Sequence, residues 1–207
     1  MVRSAPKSCD SCTNSFCQSL SPESRAKIFK MCRWVNYPYK KEQIVFFGNG
    51  NLLILESGAL MTIRSTPEGK KQGIDILKAG DLLGIVQLFN KEYEDTISVL
   101  PLSSVCGCML PIEGIEQLIR ENHDISNAII AHLSRRFVRV IHHLSVHSFG
   151  TSKDKLDYAL YKTTNDRDIK HLTHEELAIL SGLNRVTVTR TIREINDYQV
   201  EDINKFF

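Results

Sequence analysis

The sequence predicts an α+β chain in three parts: a double-stranded β-roll of the jelly-roll type, one long helix, and a C-terminal helix-turn-helix. Three observations carry this. Short β-rich runs fill residues 37–110, with Gly58, Gly69 and Gly80 recurring every eleven residues, as expected of strands that fold back repeatedly. Ile129, Leu133, Phe137, Val140 and Leu144 then step at near-heptad spacing. Toward the C-terminus a capping box, a glycine turn and a second amphipathic segment follow one another. The expected boundaries are 1–20 for a cysteine-bearing arm, 21–124 for a sensor roll, 125–149 for the long helix and 150–207 for the helix-turn-helix region.

Composition narrows the function classes. A length of 207 residues suits a sensor of moderate size plus a small second domain. Apolar residues make up 42% and charged residues 24%, values that argue against wholesale disorder. The formal net charge is only +2, so a nucleic-acid partner must be recognised from where the cations sit. No run of about 18 apolar residues is present to span a bilayer. Met1 to Lys7 lacks the apolar segment of a secretory signal, so a cytoplasmic location is expected. In that compartment six cysteines point to metal, cluster or redox chemistry rather than a disulfide framework.

Taken in order, residues 1–20 are rich in Cys, Ser and other small polar residues with no apolar period, which reads as an irregular arm that only a ligand would order. Ser21-Pro22-Glu23 supplies a helix start, and Ile28, Phe29, Met31 and Cys32 give that helix a short apolar face. Cys32 is expected to be a packed small side chain. Strands are expected at residues 44–47, 52–55, 60–63, 74–77 and 97–100. After Pro111 helices are expected over residues 112–120 and 125–149. On the longer one Ile129, Leu133, Phe137, Val140 and Leu144 form an apolar stripe that Ile130 and Ile141 widen, and the near-3.5 period favours pairing with a second copy over an ordinary core helix. His142, His143 and His147 read as partly exposed helix surface. Residues 150–170 form a polar joint with one short helix.

Thr173-His174-Glu175-Glu176 is a capping box that opens a helix through Leu177, Ala178 and Leu180. Gly182 ends it, and Asn184 is the expected cap of a second helix from Arg185 to about Tyr198. Val188, Ile192 and Ile195 form its inward face against Leu177 and Leu183. The outward face presents Arg185, Val186, Thr189, Arg190 and Arg193. A guanidinium fork can bond guanine O6 and N7 together, a Thr hydroxyl serves bases or phosphates, and Val meets a thymine methyl. The arrangement therefore points to major-groove reading of double-stranded DNA, against the bland reading of a solvated charged face.

Over nearly its whole length the chain resembles the superfamily of the cAMP receptor and fumarate-nitrate reductase regulators (CRP/FNR). The resemblance rests on Glu56-Ser57-Gly58, on Lys78-Ala79-Gly80-Asp81-Leu82-Leu83-Gly84, on the long helix, and most specifically on the run from Leu177 through Arg190. It implies a cyclic-nucleotide-binding-like or cupin-like roll, a winged-helix type of DNA-binding region, a homodimer, RNA polymerase as a further partner and no enzymatic activity. The DNA-contacting set it implies is Arg185, Val186, Thr187, Thr189, Arg190 and Arg193. Where Val186 stands the family usually has an acidic residue, so Val186 is more similar to the halorespiration regulators. The family also continues into a β-hairpin wing, which is expected here to be short or missing before Phe207.

Nucleotide-binding members hold a cyclic phosphate with a glutamate just after the glycine matching Gly84 and with an Arg-Ser pair before the last roll strand. This chain has Ile85 and Glu94-Asp95-Thr96 there, so no cyclic nucleotide is expected. The anaerobiosis regulators instead hold a [4Fe-4S] cluster on three N-terminal cysteines and one from the end of the roll. By that resemblance Cys9, Cys12 and Cys17, spaced C-x2-C-x4-C, would join Cys108, with Cys106 as the alternate fourth ligand. The family's third gap is usually five residues rather than four. Zinc on the same thiolates, a thiol-disulfide switch using pairs such as Cys9 with Cys12 or Cys106 with Cys108, and unreactive thiols are the alternatives. A regulator responding to a small molecule without a metal is also compatible with these residues. A cupin-like metal enzyme is remote, because no histidine precedes Asn122.

Overall fold

A computed structural model describes residues 12–39, 45–47, 50–90, 97–164, 169 and 172–196. In chain order the elements are α1 (Ser15–Gln18), α2 (Pro22–Met31), β1 (Arg33–Tyr37), β2 (Val45–Phe47), β3 (Asn51–Ser57), β4 (Leu60–Ser65), β5 (Lys71–Leu77), β6 (Leu82–Leu83), α3 (Ile85–Phe89), β7 (Ile97–Pro101), β8 (Val105–Pro111), α4 (Ile112–Glu121), α5 (His123–Phe149), α6 (Ser152–Thr164), α7 (His174–Ser181) and α8 (Arg185–Asn196). The strands form two four-stranded antiparallel sheets, ordered β1-β8-β3-β6 and β2-β7-β4-β5. The eleven-residue glycine spacing marks three of the turns that fold the roll, with φ of 86°, 82° and 88° at Gly58, Gly69 and Gly80.

Alternation along the strands divides the apolar side chains among three cores. Leu53, Leu55, Leu60, Leu77, Leu83, Val99, Val105 and Met109 fill the space between the two sheets. Leu52, Ile54, Leu82, Cys108 and Leu110 point the other way, against the arm, α2, α4 and the start of α5. On the second sheet Met61, Ile63, Ile76 and Leu100 face Leu156, Ala159, Leu177, Leu180 and Val188 of α6, α7 and α8. The helices after the polar joint therefore share a continuous apolar core with the roll.

Three expectations about local structure are corrected. The described part of the arm is packed on the roll rather than irregular. Glu56, only 6% exposed, accepts hydrogen bonds from Thr13 N–H at 2.8 Å, Thr13 Oγ1 at 2.9 Å and Asn14 Nδ2 at 2.5 Å, while Phe16 and Leu20 are buried. Cys32 is more than a packed side chain, because it forms a disulfide with Cys108 across a Cα separation of 5.4 Å. Trp34↔Cys108 register between β1 and β8 brings those two segments alongside each other. The histidines of α5 are not a common exposed surface: His143 is buried, and its ring centroid lies 4.0 Å from that of His147. The reason is that this side of α5 is packed against the roll and α6.

Candidate nucleic-acid interface

Thr173 Oγ1 accepts from the Glu176 N–H at 3.2 Å, and Glu176 Oε2 accepts from the Thr173 N–H at 2.6 Å, so α7 begins on a complete capping box. Gly182 stops it in the left-handed region at φ 65°, which a side chain would strain. Asn184 Oδ1 then accepts from the Thr187 N–H at 2.7 Å and starts α8. Val188 has no exposure, Thr191 is buried and Ile192 is half-buried, so one side of α8 is anchored in the core shared with the roll.

The other side is presented to solvent. Val186 is 78% exposed and the Arg190 side chain 72%, and both line an open groove with Arg185, Thr189, Arg193 and Glu194. Glu194 is an acid that the sequence reading left off this face. One helical turn brings it to 3.8 Å from Arg190 Nε. Thr187 is half-buried and does not line the groove, so of the six expected contact residues it is the one the structure sets apart. The Thr189 hydroxyl is already engaged, with the Arg185 carbonyl at 3.0 Å and His174 Nδ1 at 2.9 Å.

The stripe on α5 divides differently from its spacing. Ile129 is 1% exposed, in the chain's own core, and Leu133 packs partly on that same core. Val140 is half-buried. The outward apolar residues are Ile130, Phe137, Val138, Ile141 and Leu144, with Phe137 65% and Leu144 62% exposed. Ile129 is thus withdrawn from the expected dimer set, because the roll already covers it. Ile130, Phe137 and Leu144, a heptad apart, run along the exposed side instead.

Comparison with known proteins agrees with this layout. No family model matches the chain. The cyclic AMP receptor protein of Thermus thermophilus is 27% identical over 146 residues, 70% of this chain and 67% of that one. The CRP-like cAMP-activated global transcriptional regulator of Mycobacterium tuberculosis is 24% identical over 187 residues, covering 86% and 83%. Among solved structures, the c-di-GMP responsive global regulator CLP of Xanthomonas campestris matches with a TM-score of 0.73 at 17% identity, over 88% of this chain and 97% of that one. A regulator described as CRP/FNR family from Eubacterium rectale gives 0.69 at 17% identity, over 93% and 95%. The chain is similar in sequence and in fold to CRP/FNR-type transcription regulators.

The long helix also carries a polar seam that sequence reading missed. His132, Arg136, Arg139, His143 and His147 step by four, three, four and four along α5, facing the roll and α6. Asp75, 1% exposed, lies 3.3 Å from Arg136 Nε and 3.2 Å from Arg139 Nη2. Asp81 lies 3.0 Å from Arg139 Nη2 and 3.5 Å from His132 Nδ1. Burial, opposed by Asp81 and aided by Arg136 and Arg139, lowers the His132 pKa to about 4. Burial, with His147 and Lys162 nearby, lowers that of His143 to about 4. The available signal was the spacing itself, which repeats on the side of α5 away from the exposed stripe.

Of the expected cysteine centre, Cys9 lies outside the described residues. Cys12, Cys17 and Cys108 are buried in one core cluster, and the Cys108 sulfur is joined to Cys32. Cys106 Sγ sits 2.9 Å from Ser57 Oγ. Among the described residues, no three His, Cys, Asp or Glu side chains gather closely enough to hold a metal ion, and no helix is long and apolar enough to cross a membrane. Glu94-Asp95-Thr96 lies outside the described residues; Ile85 is buried.

Proposed function

We propose that the chain is a homodimeric, sequence-specific DNA-binding regulator whose input is the redox state of its cysteines. The observation that carries the DNA half is the outward face of α8: Arg185, Arg190 and Arg193 around Val186, on a helix held by a complete cap and an apolar anchor. The exposed stripe on α5 supports a second copy as its cover, since two copies related by a two-fold axis present two reading helices about 34 Å apart, one duplex turn. RNA polymerase as a further partner, a cytoplasmic location and the lack of an enzymatic role are carried over from the similarity to CRP/FNR-type regulators. A cyclic nucleotide is not the proposed effector.

Two forms of the cysteine input have support from different observations. Cys12, Cys17 and Cys108 share one buried cluster, which favours a [4Fe-4S] cluster held by those three with Cys9, or with Cys106 in place of Cys108. Such a group would supply the oxygen or redox sensitivity. As folded, the sulfurs do not fit it, because Cys108 is bonded to Cys32 and no three ligand-type side chains converge among the described residues. The Cys32–Cys108 bond favours the second form, a dithiol-disulfide pair. A dithiol reductant gives two electrons and two protons, the S–S bond opens to two thiols, and the reductant leaves as its own disulfide. That change would release α2 from β8.

Both forms are separated by one preparation. The protein is purified without air, its absorption spectrum recorded and its iron and sulfide measured, and duplex binding is assayed before and after treatment with a dithiol or with air. Brown protein that bleaches in air supports the cluster. Colourless protein whose DNA affinity responds to dithiol, and whose Cys32→Ser variant does not respond, supports the disulfide pair. Failure to bind duplex at low ionic strength in every redox condition removes the DNA reading itself.

A further inference from the structure

The hairpin β4–β5 leans against the helix-turn-helix of its own chain. A Cβ placed on Gly73 would stand 3.1 Å from the Leu180 Cα, so β5 runs against α7 as closely as backbone permits. Gln72 Nε2 reaches His147 Nδ1 at 3.2 Å, and Met61, Ile63 and Ile76 share a core with Leu177, Leu180 and Val188. The root of the hairpin is therefore fastened to the reading domain. Beyond that root, residues 64–72 are all exposed.

An open groove runs between this exposed hairpin and the turn at Gly182. Arg64, Lys70, Lys71 and Arg185 line it, against the single acid Glu175. Arg185 also lines the groove along the outward face of α8, so the two surfaces are continuous. Together they carry six cationic and two acidic lining side chains, a surplus of four, whereas the whole chain has a formal net charge of only +2. Positive charge is thus concentrated on this one face, and the remainder of the chain is net acidic.

Resting on the DNA-binding reading above, we propose that the β4–β5 hairpin is a second DNA contact: Lys70 and Lys71 hold backbone phosphates of the duplex flanking the site that α8 reads. The ammonium groups act as point charges on phosphate and carry no base preference. The sensor roll thereby contributes directly to affinity, and any shift of β5 against α7 changes how many phosphates the protein engages.

The test is the salt dependence of binding to a 40-base-pair duplex of random sequence, followed by fluorescence anisotropy. Each phosphate contact contributes about 0.9 to the slope of log K against log salt, so Lys70→Gln with Lys71→Gln should make the slope shallower by about 1.8 per protomer. Preference for an operator selected from a random pool should be unchanged. The same charge removed from the opposite side, by Lys30→Gln with Arg120→Gln, should leave the slope within error. All variants change exposed side chains, and a thermal melt checks that each is folded. An unaltered slope in the hairpin variant, an equal change in the control, or tighter binding without the lysines overturns the proposal while leaving the role of α8 intact. Absence of duplex binding by the unsubstituted protein overturns both.

Discussion

Replacing Arg190 by Ala isolates base reading from folding. The guanidinium is 72% exposed and its nearest acid, Glu194 at 3.8 Å, is itself 64% exposed. An exposed pair of this kind contributes about 0–1 kcal/mol, so the melting transition of the variant should barely move. Bound to duplex, a guanidinium on a guanine edge contributes about 1–3 kcal/mol, which is roughly a 5- to 150-fold rise in Kd at constant salt. The loss should fall on the preferred operator and leave random duplex nearly unaffected, because one base edge rather than the backbone is being read. Glu194→Gln should act in the opposite direction, tightening both complexes by removing an acid from the groove. The assay is anisotropy on both duplexes at one ionic strength, with a melt of each protein. Equal affinity of the Arg190→Ala variant and the parent for the selected operator would refute the assignment of this face to base recognition.

Three further outcomes follow from the packing. Asp75→Asn leaves Arg136 and Arg139 facing a neutral amide at a buried site, although Asp81 still holds Arg139. A cost of about 3 kcal/mol is expected, at the low end for breaking a buried pair, which at an m of about 2 kcal/mol/M is a urea-midpoint shift of about 1.5 M; a shift below about 0.3 M would show that the seam is not stabilising. His132 and His143 take their protons near 6.5 when unfolded but only near 4 when folded. The unfolded chain therefore binds more protons in that window, and stability should fall as pH drops from 6.5 to 4 by up to about 1.4 kcal/mol per pH unit per histidine, then level off. A flat set of urea midpoints across the window contradicts their burial. Phe137→Asp with Leu144→Asp should convert a dimer to a folded monomer in light scattering, since both side chains lie on the outside of the chain; Ile129→Asp should unfold it, because that residue is in the core. A dimer that survives the double change places the two-fold elsewhere.

The reading motif was legible because every part of it is local. A capping box, a left-handed glycine and an Asn cap each complete their hydrogen bonds within four residues, so Thr173, Gly182 and Asn184 announce the turn before any tertiary contact exists. Five strand runs of the roll were legible for the same reason, since alternation and turn glycines are local patterns, but β8 was not among them. β1 was not read as a strand, because Trp34, Asn36 and Tyr37 gain their meaning only from pairing with Cys108, Cys106 and Val105, some seventy residues on. β6 is two residues long and escapes any period.

Periodicity along the chain determined which residues share a side of α5 and which guanidiniums share a side of α8, because a helix repeats whatever surrounds it. What covers each side was decided only in three dimensions. The roll claims Ile129 and leaves Phe137 bare, two carboxylates from separate strands and turns meet two arginines of the long helix, and Cys32 finds Cys108 across seventy-six positions. Such partners are set by sheet order and the packing of helices on the sheets, and no repeat in the sequence records which distant surface arrives.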